Sequence, residues 1–185
     1  MLKRANHTPI TGTPDIRTAM NTALGELDAA LGGSGVDAGV IGESVASGTN
    51  PANASTATWN VRRLQGLEVD GSSIVAVSSN KFVLAAGTYA LWAKGVFQRS
   101  TSLTGNKLRL YNVTQTSVVQ TGMNRHTDDN ATWASLMAVF TSNGTDEYRI
   151  DHYTQFRQTQ GLGNKFTLGT NEEYLHIMLM RLSTS

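Results

Sequence analysis

The chain has 185 residues, enough for one domain with an extension. Its 15 basic and 14 acidic side chains leave a formal charge of +1, so the composition lacks the basic excess typical of proteins that bind nucleic acid. Because Cys is absent, disulfide scaffolds, thiolate metal sites and cysteine catalysis are excluded. No apolar run approaches the length of a membrane-spanning helix. We therefore expect neither nucleic-acid binding nor membrane insertion.

The first 31 residues divide into an arm and a helix. Residues 1–13 are polar and predict an extended arm that becomes ordered only against a partner. Residues 14–31 begin with a Pro suited to the first helical turn and end at a Gly pair. This helix either packs on its own domain or forms a short self-associating coiled coil. The apolar residues of its seam are Ile16, Met20, Ala23, Leu27 and Ala30.

Residues 32–57 are rich in Gly, Ala, Ser and Asn and predict a linker. From residue 58 the apolar period changes to the alternation of β-strands, and turn signals recur every several residues. The candidate strands are 58–67, 73–77, 81–84, 88–98, 107–113, 117–120, 133–141, 147–155 and 173–182. Nine strands and no helix in residues 58–185 predict a mainly β fold, a two-sheet sandwich or jelly roll.

The last candidate strand is apolar on both faces. One face carries Leu175, Ile177 and Leu179, as expected for a core-facing strand. The opposite face carries Tyr174, His176, Met178, Met180 and Leu182. In a monomer, the outer face of a sandwich strand is normally polar and exposed to solvent. This pattern therefore favours self-association over a monomer.

The sequence shows no catalytic or metal-binding constellation. Its four His residues have no ligand spacing, and His152 alternates in phase with core residues. Asp128-Asp129 lacks the Gly and the terminal Glu of a calcium loop and indicates a solvated turn. The glycine-rich GLGNKF segment, residues 161–166, lacks a following helix and the Ser or Thr of a phosphate loop. We therefore expect that the protein is not an enzyme and has no cofactor and no metal site.

Two loops are candidates for ligand binding. Residues 99–106 and 124–131 are rich in side chains that hydrogen-bond sugar hydroxyls, although such side chains are also ordinary for solvated loops. The candidate receptor-binding residues are Arg99, Asn106, Arg125, His126, Asp128 and Asp129.

Several strand-scale motifs together resemble a known family. These motifs are TWNVRRLQGL, LAAGTYALWAKG, KLRLYNVT, WASLMAVFT, GLGNKF and EEYLHIMLMRL. They resemble the C-terminal domain of phage fibre and spike proteins, which is similar to the trimeric jelly rolls of the tumour necrosis factor and complement globular-head superfamily. The resemblance covers about two-thirds of the chain.

The resemblance implies a homotrimer in which the last strand contributes Tyr174, His176, Met178 and Met180 to the contact. It also favours a trimeric coiled coil for residues 14–31 and a virion anchor for residues 1–13, which would contact other virion proteins. Because the chain has no long shaft, it implies a short spike on the tail or capsid whose knob, residues 58–185, binds a host surface glycan or protein. The alternative is a capsid decoration protein, or head fibre, that stabilises the shell. A third hypothesis is a polysaccharide-processing enzyme, but the sequence lacks the paired carboxylate motif of such enzymes.

Overall fold

The computed structural model describes residues 37–55, 57–70, 73–98, 104–127, 131–155 and 161–183, and these ranges contain strands and turns but no helix. The prediction of a mainly β, two-sheet sandwich is confirmed. The strands are β1 Ala38–Val45, β2 Thr58–Val61, β3 Gly66–Asp70, β4 Val75–Ser78, β5 Lys81–Leu84, β6 Gly87–Gln98, β7 Thr104–Asn112, β8 Ser117–Thr121, β9 Arg125–Thr127, β10 Ala131–Ser142, β11 Glu147–Thr154 and β12 Glu172–Ser183.

The strands form two antiparallel sheets. The five-stranded sheet has the order β10-β6-β12-β1-β3. The seven-stranded sheet has the order β4-β5-β11-β7-β8, with β2 also paired to β11 and β9 also paired to β7. Most neighbours are distant in sequence, as in a jelly roll, so the sheets depend on long-range pairing.

The core lies between the inner faces of the two sheets. The alternation of β6, buried at every second residue from Gly87 to Phe97, is typical of a strand with one face on a core. The buried apolar side chains come from both sheets. They include Ile41, Phe82, Leu84, Tyr89, Leu91, Leu108, Leu110, Leu136, Phe140, Tyr148, Ile150, Leu175, Ile177 and Leu179.

The prediction of a linker over residues 32–57 is wrong for its middle part. Residues 38–45 form β1, which pairs with β12 on one side and β3 on the other. Ile41 of β1 is fully buried. The Gly-rich composition concealed this strand, because a strand enclosed by neighbours in a sheet tolerates small residues that would weaken an isolated strand. β1 therefore belongs to the knob that we expected to begin at residue 58.

The candidate strand 58–67 is divided in two by a change of sheet. β2 joins the seven-stranded sheet and β3 joins the five-stranded sheet, with residues 62–65 crossing between them. Gly66 has a φ of +74°, and a Cβ there would lie 2.0 Å from the Ser44 carbonyl oxygen. Only Gly fits this crossing without strain. The other candidate strands agree with the structure to within three residues at each end.

The predicted arm and coiled coil lie outside the described residues, which begin at residue 37. The seam residues Ile16, Met20, Ala23 and Leu27 therefore remain a sequence prediction. In the described part of the chain, no helix is long and apolar enough to cross a membrane.

Candidate interaction surfaces

The outer surface of the five-stranded sheet is apolar across three neighbouring strands. The register places Met137 of β10 and Met178 of β12 on either side of Trp92 of β6, in one row across the sheet. In the next row, Val139 of β10 and Met180 of β12 flank a small residue of β6. We call the exposed side chains Trp92, Met137, Val139, Met178, Met180 and Leu182 the apolar face.

The apolar face is exposed in the single subunit and is not flat. Met137 is 75% exposed and Val139 70% exposed, which is unusual for large apolar side chains on a sheet. A cavity of about 320 Å³ opens around Ala90, where the small side chain leaves a depression among its larger neighbours. A surface that combines protruding side chains with an apolar depression can interlock with a complementary surface.

A polar row borders the apolar face. In the row next to Trp92, Lys94 lies between Ser135 and His176. The Lys94 ammonium lies 4.1 Å from the centre of the Trp133 ring, and His176 Nε2 lies 3.1 Å from a Glu173 carboxylate oxygen. An apolar centre beside a polar edge is the usual arrangement of a protein interface.

The structure separates the predicted interface residues of the last strand. His176, Met178 and Met180 point to the exposed side of the five-stranded sheet, as the sequence predicted. Tyr174 does not: it is only 3% exposed, and its hydroxyl donates to the Thr49 carbonyl oxygen at 2.8 Å. The placement of Tyr174 in an interface is therefore wrong, because the side chain is used inside its own subunit.

Sequence reasoning missed the larger part of the apolar face, which lies on β6 and β10. Trp92, Met137 and Val139 belong to strands whose inner faces are also apolar. The same test that singled out the last strand, apolarity on both faces, would have found Met137 and Val139. Trp92 gives a weaker signal of an apolar outer face, because the next residue on the same face of β6, Lys94, is polar.

Arg62 is fully buried where the chain crosses between the sheets. Its guanidinium donates to the carbonyl oxygens of Leu162 at 2.9 Å, Val96 at 3.3 Å and Tyr174, and it lies 3.8 Å from Glu43. Burial lowers the pKa of Arg62 to about 10, an effect that Glu43 opposes. The side chain is still charged at neutral pH and ties the crossing segment to the ends of β6 and β12.

His152 lies on the inner face of β11 and is also fully buried. Its Nε2 lies 3.2 Å from Asn106 Oδ1, and since Asn106 Nδ2 donates to the Arg125 carbonyl oxygen, the imidazole is the donor in the first contact. Burial, and secondarily the charge of Arg62, lowers the pKa of His152 well below its usual value. His152 is therefore a neutral core histidine, as the strand alternation indicated.

The outer surface of the seven-stranded sheet carries cations stacked on aromatic rings. The Arg109 guanidinium lies 4.3 Å from the centre of the Trp59 ring and 4.5 Å from that of Tyr111, and Arg149 lies 4.9 Å from Tyr111. Beneath them, Asp151 is fully buried and pairs with both arginines at 2.8 Å. We call Trp59, Lys107, Arg109, Tyr111 and Arg149 the basic-aromatic face.

Of the six predicted receptor-binding residues, the structure describes the positions of three. Asn106 is buried through its contacts with His152 and β9, so its placement in an exposed loop is wrong. Arg125 is exposed, and its Nε donates to Thr132 Oγ1 at 3.3 Å. His126 lies in β9, where its backbone pairs with Gly105. Arg99, Asp128 and Asp129 lie outside the described residues.

Two buried carboxylates, Glu172 at the start of β12 and Asp146 just before β11, serve as hydrogen-bond acceptors. Glu172 accepts from the backbone N–H groups of Gly48, Phe166 and Thr167, and these bonds lower its pKa. Asp146 accepts from the amides of Asn112, Asn143 and Gln115, which likewise lower its pKa. Within the described ranges, no group of three or more His, Asp or Glu side chains is placed to hold a metal ion.

The GLGNKF segment packs against β12. Gly163 has a φ of +147°, and a Cβ there would lie 2.3 Å from the ring of Tyr174. The segment continues to the backbone amides that bind Glu172. Gly163 therefore serves close packing against β12.

No protein-family model matches the chain, and no curated protein matches it. Among solved structures, murine APRIL at pH 8.0 is 12% identical, with a TM-score of 0.49 over 78% of this chain and 99% of that one. Murine APRIL at pH 5.0 is 11% identical, with a TM-score of 0.49 over 80% of this chain and 100% of that one. The globular domain of the zebrafish complement 1qA protein is 12% identical, with a TM-score of 0.47 over 82% of this chain and 100% of that one. The assignment to the jelly-roll sandwiches rests on the strand order and register described above.

Proposed function

We propose that the chain is a structural, non-enzymatic protein that assembles into a homotrimer through the apolar face. The observation that carries this proposal is the exposure of Trp92, Met137, Val139 and Met178 on adjacent strands of one sheet. Monomeric soluble proteins rarely leave such a contiguous apolar patch in water. Burying apolar surface contributes about 25 cal/mol per Å² removed from solvent, so burial of the apolar face favours association.

The choice of a second copy as occupant is supported by the chemistry of the surface itself. The apolar face is bordered by Lys94, Glu173 and His176, which carry both signs of charge. A rim with both signs can pair with a rotated copy of itself, as closed symmetric assemblies require. The number three comes from the resemblance of the sequence motifs to the C-terminal domains of phage fibre and spike proteins, which are similar to trimeric jelly rolls.

The biological role that fits this assembly is a short spike on a phage virion. In this role the jelly-roll knob contacts the host surface, and the first 31 residues provide the anchor and a trimeric coiled coil. Trimerisation would give avidity, so each individual site for a host glycan or protein needs only modest affinity. Support for the virion role comes from the sequence resemblance.

Size-exclusion chromatography with light scattering on the full chain tests the assembly. We expect a single species with about three times the 19.9 kDa mass of one chain. A species of one-chain mass at micromolar concentration would contradict the proposal.

Particles that lack the protein test the virion role separately. We expect such particles to keep their DNA on heating but to adsorb poorly to host cells. Normal adsorption combined with early release of DNA would instead identify a capsid decoration protein.

A further inference from the structure

We propose that the basic-aromatic face binds a carboxylate-bearing acidic polysaccharide. This inference rests on the proposed host-binding role and specifies its ligand class and its location. The site lies on strands of the seven-stranded sheet, and the cavity beside it is bordered by Gly105, Asn106 and Asn124 from the two ranges that the sequence suggested.

The cations of this face are held in a fixed arrangement. Arg109 donates from Nε to Asp151 Oδ2 at 2.9 Å while its guanidinium stacks between the rings of Trp59 and Tyr111. Arg149 pairs with the other oxygen of Asp151 at 2.8 Å. Side chains that are already ordered lose little conformational entropy on binding, which favours affinity for a ligand. Asp151 thus positions the two guanidinium groups.

The exposed part of the basic-aromatic face carries positive charge. Lys107, Arg109 and Arg149 supply three positive charges, whereas the single carboxylate, Asp151, is fully buried beneath them. In the described part of the chain, no acidic side chain lies within ion-pair distance of the Lys107 ammonium. The formal charge of the whole chain is only +1, so this positive patch is local. An anionic ligand would be attracted to this face specifically.

The chemistry around the cations fits a sugar chain. Trp59 lies edge-on to Tyr153 at 5.4 Å between ring centres, and Lys107 lies 6.0 Å from the Trp59 ring. Beside them is a cavity of about 270 Å³ whose lining includes Lys107, Asn124, Tyr153 and Gln155. Amide and hydroxyl groups hydrogen-bond sugar hydroxyls, while guanidinium groups bind carboxylates in a bidentate manner.

The position of the face in the proposed trimer leaves it accessible. The apolar face belongs to the five-stranded sheet, and the basic-aromatic face belongs to the outer side of the other sheet. A sandwich that assembles through one sheet exposes the outer side of the second sheet. Three copies of the site would then face outward, and a repeating polysaccharide can engage more than one of them.

Binding of the full chain to polygalacturonate, compared with its neutral methyl ester, tests the inference by biolayer interferometry. The double variant Lys107→Gln, Arg149→Gln removes two cations and leaves Asp151 paired with Arg109. The control Lys165→Gln removes one exposed cation from a loop outside the face. Light scattering on each variant reports the assembly independently of ligand binding.

We expect the wild type to bind polygalacturonate and not its methyl ester, and the double variant to bind at least tenfold more weakly at unchanged mass. Lys165→Gln should bind like the wild type. Equal binding to the methyl ester, an unchanged affinity of the double variant, or binding to a DNA duplex as tight as to polygalacturonate would overturn the inference. A trimer that fails to bind polygalacturonate would overturn the inference alone, whereas a monomer would contradict the proposed assembly.

Discussion

At the residue scale, the stability of the knob depends on the fully buried guanidinium of Arg62. Replacing it by Met removes the donors to Val96, Leu162 and Tyr174 and leaves Glu43 buried with only Arg63 nearby. Loss of one partner of a buried charge pair costs about 3–5 kcal/mol. We expect Arg62→Met to lower the free energy of unfolding by this amount in urea denaturation.

The neighbouring residue offers a matched control for Arg62. Arg63 also approaches Glu43, at 3.6 Å, but its side chain is partly exposed. Exposed ion pairs contribute about 1 kcal/mol or less. Arg63→Met should therefore change the stability by no more than this, and equal losses for the two variants would contradict the role assigned to Arg62.

His152 makes the stability of the knob depend on pH. Its pKa is well below 6.5 in the folded state because of burial, so only the unfolded chain binds the proton as the pH falls from 6.5. Stability is therefore fully present above pH 6.5 and is lost below it, by at most about 1.4 kcal/mol per pH unit for one proton. Burial of Glu43 raises its pKa, which contributes in the opposite sense at lower pH.

The variant His152→Gln tests this pH dependence. A Gln side chain does not bind or release a proton between pH 7 and 5. It can place an amide N–H near Asn106 Oδ1, the acceptor that His152 contacts. We expect urea denaturation between pH 7 and 5 to show a smaller loss of stability in the variant than in the wild type. The same pH dependence in both proteins would contradict the assignment.

At the element scale, the proposed assembly depends on the outer faces of β10, β6 and β12, which carry the apolar face. Met178→Asp places a carboxylate on the apolar face beside Trp92, and association through this face would bury one uncompensated charge per subunit. We expect this variant to run at the 19.9 kDa mass of one chain in light scattering, with its far-ultraviolet circular dichroism retained.

Val118→Asp is the control for this change. Val118 is 49% exposed on β8 of the other sheet, close to the 44% of Met178. The control should keep the mass of the wild type. An unchanged mass for Met178→Asp would show that the apolar face lies outside the subunit contact.

The elements also show how far the sequence predicts the fold. Strands with a clear alternation, such as β5 and β6, were located almost to the residue, because each has one buried face. β1 was missed because Gly39 and Gly42 interrupt its apolar pattern. A strand in the middle of a sheet gains its stability from both neighbours, which local sequence does not reveal.

At the scale of the whole molecule, the two outer surfaces of the sandwich were predicted unequally. One strand of the apolar face was predicted from residues close in sequence, Met178 and Met180. The basic-aromatic face was not predicted, because Trp59, Arg109 and Arg149 meet only through the pairing of β2, β7 and β11. No spacing of residues along the sequence indicates that these side chains lie close together.

Two methionines provide the most direct test of the central claim that copies of the chain meet through the apolar face. Met137 on that face and Met123 in the loop between β8 and β9 are 75% and 74% exposed in the single subunit. Hydroxyl-radical footprinting of the wild-type protein with mass spectrometry compares their oxidation directly. We predict that Met123 is oxidised readily while Met137 is protected severalfold. Equal oxidation of the two side chains would contradict the account.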